Sequence, residues 1–189
     1  MFGRARTSKF AKLGMIGGAI AGSAALISFI PVMKKRAMRV TTILKKDHRV
    51  VSGLLMTLQM TPKINGMVRK TLFDQIRKSL LVHAEAEEEI LYPAMRNLMF
   101  MGGESKVSEA YREHQQIKDR LTDLATMDPV TAAFDRKLAD LKSTVAHHVE
   151  EEEGEMFPML MQRMSTDQQQ ELGTRIHNKK MQLKTRKAA

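Results

Sequence analysis

The sequence predicts an all-α protein. Residues 37–163 form an up-down four-helix bundle, residues 1–36 a basic and apolar leading segment, and residues 164–189 a basic helix or tail. Three observations predict this. The apolar positions are dominated by Leu, Met, Ala and Ile, sixteen of them Met, a set that suits helices better than strands. Apolar residues recur at steps of three or four through four long stretches separated by Pro or Gly. One stretch also occurs twice: His83-Ala-Glu-Ala-Glu87-Glu88-Glu-Ile-Leu-Tyr92-Pro93 returns 65 residues later as His148-Val-Glu-Glu-Glu152-Glu153-Gly-Glu-Met-Phe157-Pro158.

The first bundle helix is predicted from Ala37 to Met60, with Val40, Leu44, His48, Val51, Leu55 and Leu58 on its inner face, and Thr61-Pro62 stops it. The second, from Ile64 to Leu91, points Leu72, Phe73, Ile76, Leu80, His83, Glu87 and Ile90 or Leu91 inward. Met101-Gly102-Gly103 marks the turn between the halves. The third helix runs from Ser105 to Thr126 with Val107, Tyr111, His114, Ile117, Leu121 and Leu124 in register, and Lys118 reads as a rim lysine whose stem packs while its charge reaches water. Asp128-Pro129 reads as a cap followed by proline at the first helical position, opening a fourth helix that ends near Arg163.

On that fourth helix His148 keeps the spacing of the first copy and lies on the apolar stripe with Glu152, whereas His147 falls about 100° away. Pro93 and Pro158 predict a kink just past each repeat, because an interior proline removes a backbone bond. Tyr92 and Phe157 read as bundle-end packing, and Glu85, Glu88 and Glu89 as a solvated face. The stretch from Thr166 to Lys184 is polar and basic and reads as a solvated tail or surface helix.

Charge is unevenly placed. Of a formal net +10, residues 1–49 carry eleven Lys and Arg against Asp47 alone, and residues 171–189 carry six against Glu171. No recognition motif accompanies these ends, so nucleic acid is not an expected partner. Between Leu13 and Met33 no residue is charged, a length that at about 1.5 Å per residue just spans a hydrocarbon core of about 30 Å. Gly14, Gly18 and Gly22 recur along it, the small-residue spacing by which membrane helices pack, and so suggest a homodimer of anchors. Lys34, Lys35, Arg36, Arg39, Lys45, Lys46 and Arg49 after the run outnumber Arg4, Arg6, Lys9 and Lys12 before it, which predicts that the bundle faces the cytoplasm. The alternatives are a cleaved secretory signal, against which the small residues Ser23-Ala24-Ala25 fall inside the run, and a helix packing on the bundle or a partner in a soluble cytoplasmic protein.

The repeat carries the chemistry. Residues four apart share a helix face, so His83 with Glu87 and His148 with Glu152 each aim an imidazole and a carboxylate at one point. Two further acid–histidine pairs, Asp47-His48 and Glu113-His114, stand 35 and 34 residues before the repeats, on the alternate helices. His48, His83, His114, His148, Glu87 and Glu152 then converge in the bundle core. That is too many ligands for one tetrahedral zinc. It suits two metals, with two histidines each and both glutamates bridging. There is no cysteine, so thiolate, iron–sulfur and disulfide chemistry are excluded. An all-nitrogen-and-oxygen set favours two non-haem iron ions, with manganese or zinc behind.

These motifs resemble the hemerythrin-like, HHE cation-binding family: the H-x-x-x-E pairs at His83/Glu87 and His148/Glu152, with His48 and His114 on the alternate helices, match its pattern over about residues 37–163. The ferritin-like alternative needs Glu three residues before a histidine, and Lys45, Leu80, Tyr111 and Val145 stand there instead. The resemblance implies a carboxylate-bridged di-iron site that binds O2 or a related small ligand such as NO for sensing, storage or delivery. The oxygen carriers of that family have a second histidine on the third helix, where this chain has Lys118. Fewer nitrogen ligands leave more open positions. The competing expectation is therefore a redox enzyme that reduces peroxide, NO or O2, or donates iron for cluster repair.

Overall fold

The computed structural model describes residues 38–98 and 103–186. The apolar run 13–33, Gly14, Gly18 and Gly22, and the turn residues Met101 and Gly102 lie outside them. Among the described residues there is no strand, and no helix is long and apolar enough to cross a membrane.

Helix α1 is Val40–Met60, and the six positions of its predicted stripe are all buried. A short turn at Thr61–Asn65 leads into α2, Gly66–Ala86, which continues without a break through a π-helical turn, Glu87–Leu91, into α3, Tyr92–Leu98. Helix α4 is Gly103–Ala125. The fourth rod repeats the pattern of the second: α5, Ala132–Glu151, a π turn at Glu152–Met156, and α6, Phe157–Arg163. The rods α1 with α2 and α4 with α5 pack as pairs, and α1 against α5 and α2 against α4 close the bundle.

Two local expectations need correction. The fourth rod begins at Ala132 rather than at Pro129, because Thr131 is the cap and its hydroxyl accepts from the Phe134 amide at 3.2 Å. Asp128 instead caps the turn before it, accepting from the Val130 amide. The irregularity expected at Pro93 and Pro158 takes the form of a π turn immediately before each, with the Tyr92 amide bonding the Glu87 carbonyl and the Phe157 amide the Glu152 carbonyl. Pro93 has no N–H to extend that ladder to Glu88, and the Tyr111 hydroxyl donates to the Glu88 carbonyl at 2.8 Å instead.

The polar, basic helix expected from Thr166 to Lys184 is α7, Thr166–Arg186, and rather than being solvated all round it docks on α1 and α2 through Leu172, Ile176 and Leu183. Gly173 makes the approach possible, since a Cβ there would meet the Met38 carbonyl and lie 2.8 Å from the Val40 nitrogen. Three basic residues of α7 pair with acids of the bundle: Lys179 with Glu89, Lys180 with Asp47 and Arg186 with Glu85.

The core is divided into two apolar layers. One holds Val51, Leu55, Phe73, Leu80, Ile117 and Val145, and the other Leu44, Leu91, Tyr92, Met156, Phe157 and Ile176. On each rod the inward histidine falls between them, so the polar centre is sandwiched between dry layers. Arg69 secures the far end of the first layer. Only 2% exposed, it donates to the carbonyls of Leu58, Thr61 and Pro129 and to Asp135, tying the end of α1 to the turn before α5.

Candidate metal centre

All six residues singled out by the repeat meet in the middle of the bundle, none more than 4% exposed. Two overlapping groups have ligand atoms mutually within 4.8 Å: His48, His83, His148 and Glu152, and His83, Glu87, His114 and His148. The rings form two close pairs, His48 with His83 at 4.9 Å and His114 with His148 at 4.6 Å between centroids. His147 is 63% exposed, so the register of α5 points His148 inward.

The glutamates lie between the pairs. Glu87 Oε2 is 3.1 Å from His83 Nε2 and 3.4 Å from His114 Nε2. Glu152 Oε2 is 3.4 Å from His48 Nε2 and 3.8 Å from His148 Nε2. Each carboxylate thus reaches one histidine of each pair. The π turns begin at these two glutamates, and such turns are frequent where a helix must re-aim a functional side chain.

A second ring of carboxylates stands behind the imidazoles. Glu153 lies 2.9 Å from His48 Nδ1, Glu88 3.0 Å from His114 Nδ1, Glu113 2.9 Å from His148 Nδ1 and Asp47 3.7 Å from His83 Nδ1. An acceptor on Nδ1 fixes the tautomer and leaves Nε2 as a lone pair facing inward, the usual support for a metal-bound histidine. Behind these acids stand cations: Lys118 donates to both oxygens of Glu88 at 2.7 and 2.8 Å, Lys45 lies 3.1 Å from Glu153, and Lys180 pairs with Asp47.

Several sequence expectations change here. Glu88 is not part of a solvated face but the acceptor behind His114, and Lys118 is not a free rim lysine but the cation that holds it. Tyr92 is not only packing: its buried hydroxyl donates to Glu152 Oε1 at 3.0 Å and lies 3.2 Å from His114 Nε2. Phe157 does pack, stacking on His48 at 6.0 Å. A signal for the outer ring was present, because an acid adjoins His48 and His114, and a second glutamate follows Glu87 and Glu152, at the same places in both copies.

The protein groups alone leave this centre unbalanced. Both oxygens of Glu87, both ring nitrogens of His83, His48 Nε2 and Glu152 Oε2 are buried without a hydrogen bond of ordinary geometry. Native cores rarely leave such atoms unpaired. Burial, and then the neighbouring Glu152, push the Glu87 carboxyl well above its usual range. Burial acts on Glu152 too, but His148, His48 and His83 around it hold that carboxyl well below. Burial also pushes His83 down to about 4. Burial keeps the Tyr92 phenol protonated, so it remains a donor to Glu152. Cations among inward lone pairs and two carboxylates would satisfy every orphaned inward atom at once, so the donor set fits metal.

Comparison with known proteins agrees. A solved structure of a hemerythrin HHE cation-binding domain-containing protein from Mycobacterium kansasii is similar at 25% identity and a TM-score of 0.67, over 77% of this chain and 86% of that one. A hemerythrin-like protein of Schizosaccharomyces pombe is 23% identical over 144 residues, 75% of this chain and 70% of the relative. A DNA nickase of Nostoc sp. is 27% identical over 186 residues, 98% of this chain but 49% of the relative, so this chain spans about half the length of that protein. The family model of the hemerythrin HHE cation binding domain matches residues 39–160, most of the bundle, and the chain belongs to that family.

Proposed function

We propose that the chain holds two iron ions and uses them to bind O2 or a related small ligand such as NO, for sensing, storage or delivery. The supporting observation is the position of the glutamates, each with one oxygen between a histidine of one pair and a histidine of the other. On this reading His48, His83, His114 and His148 would hold the two ions, two histidines for each, and Glu87 and Glu152 would be shared between them. A ferrous pair with open coordination positions supplies reversible binding of diatomic ligands. The chain's own part is to fix the imidazoles through the outer carboxylates, to pin Glu152 through Tyr92, and to exclude water between two apolar layers.

The alternative, redox turnover of peroxide, NO or O2 or iron donation for cluster repair, is favoured by Lys118. It stands one turn after His114 and turns its ammonium to Glu88 rather than offering a nitrogen to the centre. The optical spectrum of reduced protein exposed to air separates the two. A band that forms and reverses under vacuum supports binding, and immediate irreversible oxidation supports turnover.

Residues 13–33 are proposed as a membrane anchor that pairs through Gly14, Gly18 and Gly22, with the bundle facing the cytoplasm. Fractionation tests this, since a full-length chain wholly in the soluble fraction would make the run a packing helix. No nucleic-acid partner is proposed. The name of the Nostoc relative describes a chain of which this one covers 49%, and Lys179, Lys180 and Arg186 on α7 are engaged by acids of the bundle.

A further inference from the structure

Outside the metal centre, a cleft of about 510 Å3 between α1, α2 and α7 is lined by several cations. That volume lies within the roughly 300–1,000 Å3 usual for small-ligand pockets. Its rim carries Lys46, Arg49, Lys180 and Lys184, and Asp47 is the one acid in the lining. Asp47 is already engaged, by Lys180 on one side and His83 on the other. Lys46, Arg49 and Lys184 make no ion pair among the described residues. The chain offers no further anion from its leading segment either, because residues 1–37 contain no Asp or Glu. Among the described residues these three cations stay open to an anion from another molecule.

The walls specify what else that molecule carries. Between the cations lie Ile43, Val82, Val50 and Met181, and the last two are 49% and 51% exposed, apolar surface left open beside positive charge. A bare phosphate would leave this surface wet, and a polynucleotide would lay its polar backbone against it. An alkyl chain covers it while its charged end reaches the lysines.

We propose that the cleft between α1, α2 and α7 binds a single-chain anionic amphiphile, a long-chain carboxylate. Its head sits among Lys46, Arg49 and Lys184, and its tail lies on Ile43, Val50 and Met181. Lys180 and Asp47 belong both to this cleft and to the shell behind His83, so an occupant touches the outer support of the metal centre.

The test uses the full chain as purified and does not depend on which metal it holds. Dodecanoate, kept below its micelle concentration, is titrated against a fluorescent fatty acid bound to the protein. The expected result is saturable displacement at one site per chain. Dodecanol, acetate and inorganic phosphate should each be at least tenfold weaker than dodecanoate. The double variant Lys46→Glu/Lys184→Glu should lose at least tenfold in affinity, and Val50→Asp should do the same, while helix content and metal content stay unchanged. A second variant, Lys46→Gln/Lys184→Gln, keeps the test decisive if the charge reversal fails to fold.

Equal binding of dodecanol and dodecanoate overturns the anionic head. Displacement by an oligonucleotide as effective as by dodecanoate overturns the amphiphile. Adsorption to anionic vesicles that the Val50→Asp variant retains, without monomer binding, assigns the charge to a membrane surface and also overturns the proposal.

Discussion

In the first half of the repeat His83, Glu87 and Glu88 are followed by Tyr92, and in the second half His148, Glu152 and Glu153 are followed by Phe157. The rings pack alike, Tyr92 on His114 at 5.3 Å and Phe157 on His48 at 6.0 Å, each against a histidine of the other half. One hydroxyl separates them. Through it Glu152 has a hydrogen bond that Glu87 lacks, both of whose oxygens are unpartnered by protein. The inward groups are therefore duplicated while their supports are not. Lys118 grips both oxygens of Glu88 where Lys45 meets one oxygen of Glu153, and Asp47, behind His83, is backed by Lys180 of α7 where Glu113, behind His148, has the exposed His147 beside it. The halves also differ in access. A cleft of about 560 Å3 lined by His48, Gly53, Met56 and Glu153 opens beside the first helix, whereas the Tyr92 ring stacks on His114 and Tyr111 packs against Tyr92. The ligand set is repeated in the two halves, whereas the residues behind it differ.

The largest effect that would break this comparison is at the paired histidines of α5. His148→Ala should lose bound metal and His147→Ala should retain it, as measured by metal analysis of the purified variants. Equal losses would mean that the exposed ring does more than neighbour Glu113. Next comes the hydroxyl that distinguishes the halves. Tyr92→Phe leaves Glu152 Oε1 without its donor and should cost about 1–3 kcal/mol in denaturant unfolding. No change in the unfolding midpoint would show that the hydroxyl has no bearing on Glu152. The smallest contrast lies among the outer cations. Lys118→Ala should cost about 1 kcal/mol and Lys45→Ala less than that, because Lys118 holds two oxygens and Lys45 is a more exposed single contact. The reverse order would show that the outer shell does not follow its geometry.

How far the sequence foretold this centre depended on which physical rule governed each residue. The inward stripe of α1, the stripes of α2 and α5 and the choice of His148 over His147 follow from helical periodicity, a local property. The roles of Glu88, Lys118 and Tyr92 do not, because each reaches a residue on another rod, and their spacing within their own helix is equally that of surface or packing positions. The docking of α7 was hidden for the same reason: its composition is polar, and the contact made by Leu172, Ile176 and Leu183 is flanked by Lys179 and Lys180, whose acids lie on the second rod and α1. The Asp128 cap was displaced by Thr131 because the Asp128-Pro129 pair is used for the turn that Arg69 clamps.

The central claim is that two buried carboxylates bridge two metal ions. Metal analysis of the wild-type chain beside the variant Glu87→Ala/Glu152→Ala tests it most directly. About two irons per wild-type chain and none in the double variant are expected, since both shared carboxylates vanish and the ions would face each other unscreened. One zinc per chain, or iron undiminished in the double variant, would contradict it.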